Sequence, residues 1–268
     1  MKKHIDLLHG PVLSSLTRLA VPIMATSIIQ MAYNLTDMIW IGRIGSNAVA
    51  AVGAAGMYMW LSNGLAVLSK MGGQVNAGHS LGAGNQEEAA GYAQSALRLA
   101  AFTGLLFGLV CAVFTVSLID FFKLNSPQVI ADAHIYLKIT CGLVVFSFLN
   151  QTFTGLFTAI GNSRAAFLAT TSGLVINFFM DPVLIFGIGP FPEMKVMGAA
   201  IATVFAQMIV TVMFLIFALQ DDLLFCHIRI FRKPDPSYLK NIVQIGVPSC
   251  LQTVSYTHLR AHETLRHV

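Results

Sequence analysis

Six long apolar stretches dominate this sequence. Each is long enough to cross a lipid bilayer as a helix, which takes about 20 residues. Only 10% of the residues are charged, whereas a soluble domain carries about a quarter, so lipid suits the exterior of this chain better than water. The sequence therefore predicts an all-α polytopic membrane protein. The predicted spans are residues 12–41, 48–73, 89–121, 129–160, 165–188 and 196–219.

These six spans are predicted to form one lobe over residues 1–219, followed by a cytoplasmic linker at 220–238. Turn residues separate the spans, and they include a tight turn at 42–47 and a glycine-rich loop at 78–88. Asn85 is expected to cap the third span, because an asparagine side chain accepts hydrogen bonds from the first free N–H groups of a helix.

A seventh apolar segment, residues 239–254, is predicted to begin a second lobe. Its Val247-Pro248 pair repeats the Val21-Pro22 pair of the first span, and each pair lies a few residues into its segment. Internal repeats are a common design in secondary transporters, which hold substrate and ions near the bilayer midplane.

Residues 255–268 differ in composition from the rest of the chain, since they are polar and contain three of its eight histidines. His258 and His262 lie four residues apart, which could imitate a metal-binding pair on a helix. The segment resembles translated sequencing-adapter read-through. It is predicted to be a non-native tail, and the alternative is a genuine short polar tail.

Basic residues near the span ends favour a cytoplasmic N-terminus, because cytoplasmic loops carry an excess of Lys and Arg. The chain is accordingly predicted to be a multi-pass protein of the inner (plasma) membrane. In this orientation the inner side carries Lys2, Lys3, Arg164, Arg229, Arg232, Lys233 and Lys240. The outer side carries Arg43, Lys123 and Lys195.

Two acidic residues, Asp37 and Asp181, lie inside predicted spans. A charged side chain at membrane depth costs roughly 2.5–3.5 kcal/mol on insertion scales, so it usually faces a cavity or a partner. Asp120 and Asp132 lie at span ends, where headgroups and water reach them. The structural alternative is an acid that is hydrogen-bonded between helices and only fixes their packing.

Asp181 is expected to share a helix face with Asn177, four residues before it. Pro182 has no N–H group, so the carbonyl of Phe178 loses its usual hydrogen bond and could supply a third oxygen. By the predicted orientation, Asp37 and Asp181 both lie in the outer half of the membrane. Oxygen-only clusters suit hard cations such as Na⁺, and a buried carboxylate also suits H⁺.

Further polar residues recur at helical spacing inside the spans and are predicted to line a substrate cavity. Thr203 and Gln207 lie four residues apart and could face the same cavity, although a threonine in a spanning helix often bonds its own backbone. The predicted cavity residues are Gln30, Tyr33, Asn34, Asn150, Gln151 and Gln207.

Four stretches, residues 34–45, 50–53, 81–85 and 177–182, resemble the multidrug and toxic-compound extrusion (MATE) family. The resemblance covers about residues 10–254. It implies one half of a twelve-helix, two-lobe transporter that exports drugs in exchange for Na⁺ or H⁺. It also implies a cation site at Asp37, Asn177, Asp181 and Thr203, with Gln30 and Tyr33 in the adjoining cavity.

No ATPase motif accompanies this resemblance, because Gly82-Ala83-Gly84-Asn85 lacks the preceding strand and the Lys-Ser or Lys-Thr pair of a phosphate-binding loop. An ion gradient, either Na⁺ or H⁺, is therefore expected to drive transport, with no other cofactor. The expected partners are membrane lipid, small organic cations or other drugs, and the missing second lobe, but no nucleic acid. One lobe alone is expected not to transport.

Two other functions remain open. A flippase for lipid-linked precursors would need a cationic cleft, for which the sequence offers Lys70, Arg98 and Lys138. An intramembrane lipid-modifying enzyme would need a nucleophile and base, or a metal pair, at membrane depth. No such constellation precedes residue 255, and the four cysteines are scattered, so the chain is predicted not to be an enzyme.

Overall fold

The computed structural model describes residues 12–228 and 235–266, with side chains described over 20–228 and 235–253. Every regular element in these residues is helical. The α-helices are α1 (Val12–Ile44), α2 (Ser46–Gly82), α3 (Gln86–Val113), α4 (Thr115–Asp120), α5 (Pro127–Gly142), α6 (Val145–Ala159), α7 (Ser163–Phe186), α8 (Lys195–Leu219) and α9 (Pro236–Arg266). Among the basic residues used to predict orientation, Lys2, Lys3, Arg229, Arg232 and Lys233 lie outside the described residues.

Four of the described helices are long and apolar enough to cross a membrane, namely α2, α3, α7 and α8. Helices α5 and α6, which meet at a bend of 44°, make a fifth span when they are counted together. At 33 residues α1 is also long enough to span. The predicted all-helical membrane lobe is thus confirmed, and its sixth span depends on counting α1.

Two predicted spans are interrupted. Residues 89–121 form α3 and the short α4, which are separated at Phe114, and residues 129–160 form α5 and α6, which are separated at Leu143 and Val144. Neither break was predicted, because apolar composition indicates that a segment contacts lipid or the protein interior and does not indicate where a helix is interrupted.

Two predicted connections are shorter in the structure. The turn predicted at 42–47 is the single residue Gly45, whose φ of 138° is a conformation that favours glycine.

The loop predicted at 78–88 is wrong in its first half, because α2 continues to Gly82. At 37 residues, α2 is about 55 Å long and exceeds the bilayer core. The predicted cap is confirmed, since Asn85 Oδ1 accepts the Glu88 N–H at 3.2 Å.

The last helix, α9, begins at Pro236, inside the predicted linker, and its backbone stays helical to Arg266. It packs closely on α2. A Cβ added to Gly72 would lie 2.3 Å from the Ile242 carbonyl oxygen, and one added to Gly246 would lie 2.3 Å from that of Leu68. Glycine thus lets two backbones approach, as is common between membrane helices. The non-native origin of residues 255–268 stays a prediction.

The interior combines small residues with one aromatic cluster. Buried alanines fill the contacts of α2 with α3, α5 and α6. Phe214 of α8 stacks on Phe153 and Phe157 of α6, with ring centroids 5.6 Å apart in both pairs. Phe225 of the 3₁₀ helix Phe225–His227 closes the cluster beside Phe157 at 4.8 Å. These contacts hold α6 and α8 together and so position the polar residues that lie further along both helices.

Candidate functional site: a polar cavity beside two buried acids

Three helices bring the predicted cation-site residues to one buried point. Helix α7 packs between α1 and α8. Asn177 Nδ2 donates to Asp181 Oδ1 at 3.1 Å, as the four-residue spacing predicts. Thr203 Oγ1 donates to Asp37 Oδ2 at 3.5 Å across 166 residues of sequence, and the Asp37 carboxylate also faces Asp181 and Asn177. Asn177 and Asp181 are each 0% exposed.

Several oxygen atoms of this cluster are buried without a hydrogen-bond partner. Among the described side chains they are Tyr33 Oη, Asp37 Oδ1, Asn177 Oδ1 and Asp181 Oδ2. A buried polar atom that lacks a partner costs about 1–3 kcal/mol, and a charged one costs more. Two carboxylates this close in a low-dielectric interior need a proton or a cation between them. The arrangement therefore fits the binding of a small hard cation or of a proton.

The charge of the cluster limits which cation it suits. No group of three or more His, Cys, Asp or Glu side chains gathers anywhere in the described part of the chain. Asp37 and Asp181 are the two carboxylates present, and the other oxygens come from neutral amide and hydroxyl groups. Divalent hard cations usually take more carboxylate charge or several waters, so Na⁺ or H⁺ fits this donor set better.

A cavity of about 610 Å³ opens beside the buried acids. All six predicted cavity residues line it, and so do Asp37 and Thr203. Asn177 and Asp181 are absent from its lining and lie behind Asp37 in the protein interior. The cavity therefore reaches the acid pair through Asp37.

The sequence analysis missed Tyr136 of α5. This side chain is 3% exposed, lines the cavity and interacts with Asp37, Asp181 and Thr203. A single tyrosine in a predicted span does not by itself indicate such a role. Its hydroxyl comes close to these residues only when α5 packs against α8. Polar spacing within α5 could not have identified it.

Asn150 has a structural task within the cavity wall. Its Nδ2 donates to the Gln207 carbonyl oxygen at 2.9 Å and to Gln207 Oε1 at 2.8 Å. Its Oδ1 accepts from Thr211 Oγ1 at 2.8 Å. These bonds join α6 to α8 and consume most of the hydrogen-bonding capacity of this amide. Asn150 therefore connects two helices in addition to lining the cavity.

Replacing Asn150 with leucine, which has a similar size, should therefore destabilise the lobe by about 2 kcal/mol, since bonds between membrane helices contribute roughly 0.6 kcal/mol each and up to about 1.7. Thermal unfolding followed by circular dichroism in detergent measures the change. Thr158→Val is the matched control, because Thr158 bonds only a carbonyl of its own helix, that of Thr154 at 2.7 Å. An equal loss in both variants would contradict the interhelical role.

Gln151, the next residue, links the cavity to a lysine. Its Oε1 accepts from Lys70 Nζ of α2 at 3.1 Å. Its Nε2 donates to Asn63 Oδ1 at 3.2 Å, and Asn63 also lines the cavity. Of the three lysines and arginines named for a cationic cleft, Lys70 is hydrogen-bonded to a residue of the cavity wall, whereas Lys138 is exposed, and none of the three is part of the described lining.

Comparison with known proteins identifies the family. The MatE family model matches residues 22–183, which is more than half of the chain. The probable multidrug resistance protein NorM of Thermotoga maritima is 28% identical over 90% of this chain and 52% of its own length. The FAD transporter of Shewanella oneidensis is 28% identical over 78% of this chain and 46% of its own length. The multidrug export protein MepA of Staphylococcus aureus is 22% identical over 91% and 53%, respectively.

Solved structures have the same fold. A MOP superfamily transporter from Pyrococcus furiosus superposes with a TM-score of 0.86 at 25% identity, over 95% of this chain and 56% of that one. A MATE transporter crystallised in a bent conformation gives the same TM-score, identity and coverage. The chain spans about half the length of the relatives it matches. Family model, relatives and fold agree with the residues that first suggested the resemblance, and the chain belongs to the MatE family of multidrug and toxic-compound extrusion transporters.

Proposed function

We propose that this chain is the amino-terminal lobe of a secondary multidrug exporter that exchanges organic cations or other drugs for Na⁺ or H⁺. The observation that carries the proposal is the cluster of buried, unpartnered oxygens around Asp37, Asn177 and Asp181, which lies directly beside a cavity of drug size. The names of the relatives in Thermotoga and Staphylococcus support the multidrug class.

The acid cluster couples the two substrates by charge. With the site empty, the Asp37 carboxylate at the cavity wall attracts an organic cation. When Asp37, Asn177, Asp181 and Thr203 bind Na⁺ or H⁺, that charge is neutralised and the drug loses its electrostatic attraction. Coupling requires that the ion and the drug bind the outward-open and inward-open states with different affinities.

Helix α1 can move within this scheme. Pro22 lies inside it and removes one backbone hydrogen bond from the helix. Asp37 lies on the same helix, so a change at the cluster bears directly on α1. We propose that α1 shifts near Pro22 when the cluster is filled, which narrows the cavity as the drug leaves.

The remaining parts of the proposal concern the whole transporter. A second lobe completes the cleft around the cavity. The protein lies in the inner (plasma) membrane with its N-terminus in the cytoplasm. Its partners are membrane lipid, the drug and the second lobe of the same protein.

A flippase for lipid-linked precursors has less support. A pyrophosphate headgroup calls for several cationic side chains, as phosphate sites usually do. Among the described residues that line the cavity there is no lysine or arginine, and Lys70 only adjoins the wall through Gln151. An intramembrane enzyme has less support still, because the family consists of transporters.

Cation binding is tested by the thermal unfolding of the purified chain in detergent, with Na⁺ exchanged for choline at constant ionic strength. A cation present at about 100 times its dissociation constant should stabilise the folded state by about 2.7 kcal/mol. If H⁺ is the coupling ion, acidification in choline should stabilise the chain instead. Asp37→Asn should remove the response.

The matched control is Asp132→Asn, because Asp132 is bonded to Gln128 near the N-terminal end of α5 at 3.1 Å and is not part of the cavity lining. This variant should keep the response of the unaltered chain. Stability that is independent of both Na⁺ and pH in the unaltered chain would contradict the proposed cation site.

A further inference from the structure

Two of the four cysteines, which are scattered along the sequence, meet in the structure. Cys111 lies in the last turn of α3, and Cys141 lies next to the end of α5. Both are free thiols, 2% and 0% exposed respectively, and they interact directly with each other. Neither is part of the described cavity lining, so the proposed transport function gives this pair no task.

The backbones of α3 and α5 approach closely at this point. A Cβ added to Gly108 would lie 2.8 Å from the Gly142 carbonyl oxygen and 3.0 Å from that of Cys141. Because residues three apart on a helix are neighbours on its surface, Cys111 lies on the face of α3 that carries Gly108 and packs against α5. A disulfide joins Cα atoms about 4.4–6.8 Å apart, and such a separation requires backbones that approach as these do.

The pair lies just inside the lipid-facing surface of the lobe. Val110 and Phe114, which flank Cys111 on α3, are 43% and 55% exposed, and Leu143 beside the end of α5 is 46% exposed. These side chains are apolar and lie in predicted spans, so a reagent reaches the thiols through lipid. Phe114 also separates α3 from α4, so Cys111 lies at a helix end, where local opening costs little free energy.

The apolar surroundings favour a neutral reagent and a neutral product. A metal ion would have to cross this surface as a charge, which is costly inside a membrane, and it would bind thiolates rather than thiols. A disulfide carries no charge, as is also true of the two thiols that form it. Oxidation of the pair therefore suits this position better than metal binding.

We propose that Cys111 and Cys141 form an oxidation site for apolar hydroperoxides, such as those of lipids, and that the resulting disulfide clamps α5 to α3 beside the bend between α5 and α6. The site is separate from the acid cluster and from the drug cavity. The proposal therefore goes beyond the proposed transport function and requires no particular drug or coupling ion.

The reaction has two steps. The thiol of Cys111, which lies nearer the lipid, attacks the hydroperoxide ROOH, so that an S–O bond forms, the O–O bond breaks, and a sulfenic acid and the alcohol ROH are produced. The thiol of Cys141 then attacks the Cys111 sulfur, and the hydroxyl group leaves as water with the proton of Cys141. Overall, two electrons pass from the two sulfurs to the peroxide oxygens.

A bond at this place acts on the cation site through α5. Cys141 lies five residues after Tyr136 in the same helix, and Tyr136 interacts with Asp37. Thr140 and Thr203 line a small cavity of about 30 Å³ between α5 and α8. Because α5 bends by 44° into α6 directly after this point, the disulfide restrains both the bend and the helix that carries the tyrosine.

The test uses the purified 268-residue chain in detergent, reduced and carrying Cys226→Ser so that no exposed thiol joins two copies. It is treated with cumene hydroperoxide, and the thiols that react with a maleimide after denaturation are counted. Two thiols should disappear, and peptide mapping by mass spectrometry should locate the bond between Cys111 and Cys141. Closing a loop of this length should raise the unfolding temperature by roughly 5–10 °C, and reduction with a phosphine should reverse both effects.

Three variants and a second oxidant serve as controls. Cys111→Ala and Cys141→Ala should each abolish the cross-link and the gain in unfolding temperature. Cys250→Ala, which removes another buried cysteine, should retain both. Hydrogen peroxide at the same concentration should react more slowly than cumene hydroperoxide, because it is polar and enters an apolar surface less readily. Circular dichroism verifies that each variant is folded.

The outcomes are distinct. If both thiols persist in the folded chain and are lost only after unfolding, the pair only packs and the proposal is wrong. A bond that contains Cys250 instead would also overturn it. A bond between Cys111 and Cys141 that leaves the unfolding temperature unchanged would overturn the clamp. None of these results bears on the cation site, whose response to Na⁺ and pH is measured separately.

Discussion

Asparagine in place of Asp181 is expected to abolish drug export by a two-lobe transporter that contains this chain. Asp181 is fully buried, and its Oδ2 has no hydrogen-bond partner, so the carboxylate is held ready for a ligand. A hydrogen bond to a charged group contributes about 1.5–3 kcal/mol, and each 1.4 kcal/mol is a factor of ten in affinity. Loss of the charge should therefore weaken cation binding by at least about tenfold.

Drug resistance of cells and efflux of ethidium measure this effect, with the amount of protein in the membrane followed by immunoblot. The amide keeps the size of the carboxylate and can still pair with Asn177, so expression should be preserved. Asp120→Asn, at the exposed end of α4, is the matched control and should export normally. Preserved resistance in Asp181→Asn would refute the coupling role of the acid cluster.

Gly198→Ala is expected to give the largest loss of stability among single-methyl additions to the α7 and α8 interface. A Cβ at Gly198 would lie 2.5 Å from the Leu184 carbonyl oxygen and 2.6 Å from its carbon. These are backbone atoms, which cannot move aside as a side chain can. Overpacking costs typically 1–3 kcal/mol, and a backbone clash belongs near the upper end, at about 3 kcal/mol.

The unfolding temperature of the purified chain checks this expectation. Gly42→Ala is the matched control, because a Cβ there meets nothing within 4 Å and alanine favours a helix over glycine. That variant should be unchanged or slightly more stable. Since Leu184 lies one turn after Asp181, Gly198→Ala should also separate Thr203 from Asp37 and reduce the response to the cation. Equal stability of the two variants would contradict the close approach of α7 and α8.

Short-range features of the site could be read from the sequence. Asn177 and Asp181 lie one helical turn apart, so their hydrogen bond follows from the geometry of any helix. The same holds for Asn85, whose cap on α3 depends on residues within three positions of it. The cost of a charge in a membrane singled out Asp37 and Asp181 without any knowledge of packing.

Long-range features could not be read in the same way. The contact between Thr203 and Asp37 crosses 166 residues, and Tyr136 joins the cluster from α5, a helix for which no site residue was predicted. Asn150 bonds to α8 through Gln207 and Thr211, whereas its neighbour Gln151, which has the same chemistry, bonds to α2. Such distinctions depend on the rotation of each helix about its axis, which the sequence of a single span does not report.

Apolar length and the rarity of charge determined by themselves that this chain is an all-helical membrane lobe, since lipid admits backbone only where its hydrogen bonds are satisfied internally. They also identified Asp37 and Asp181 as acids whose placement inside a membrane costs enough free energy to indicate a function. Only the tertiary structure decided where α3 and α5 break, how far α2 extends, and which oxygens meet beside the cavity. The physical reason is that hydropathy acts on each residue separately, whereas close approaches such as those at Gly72 and Gly198 arise only between helices that have already packed.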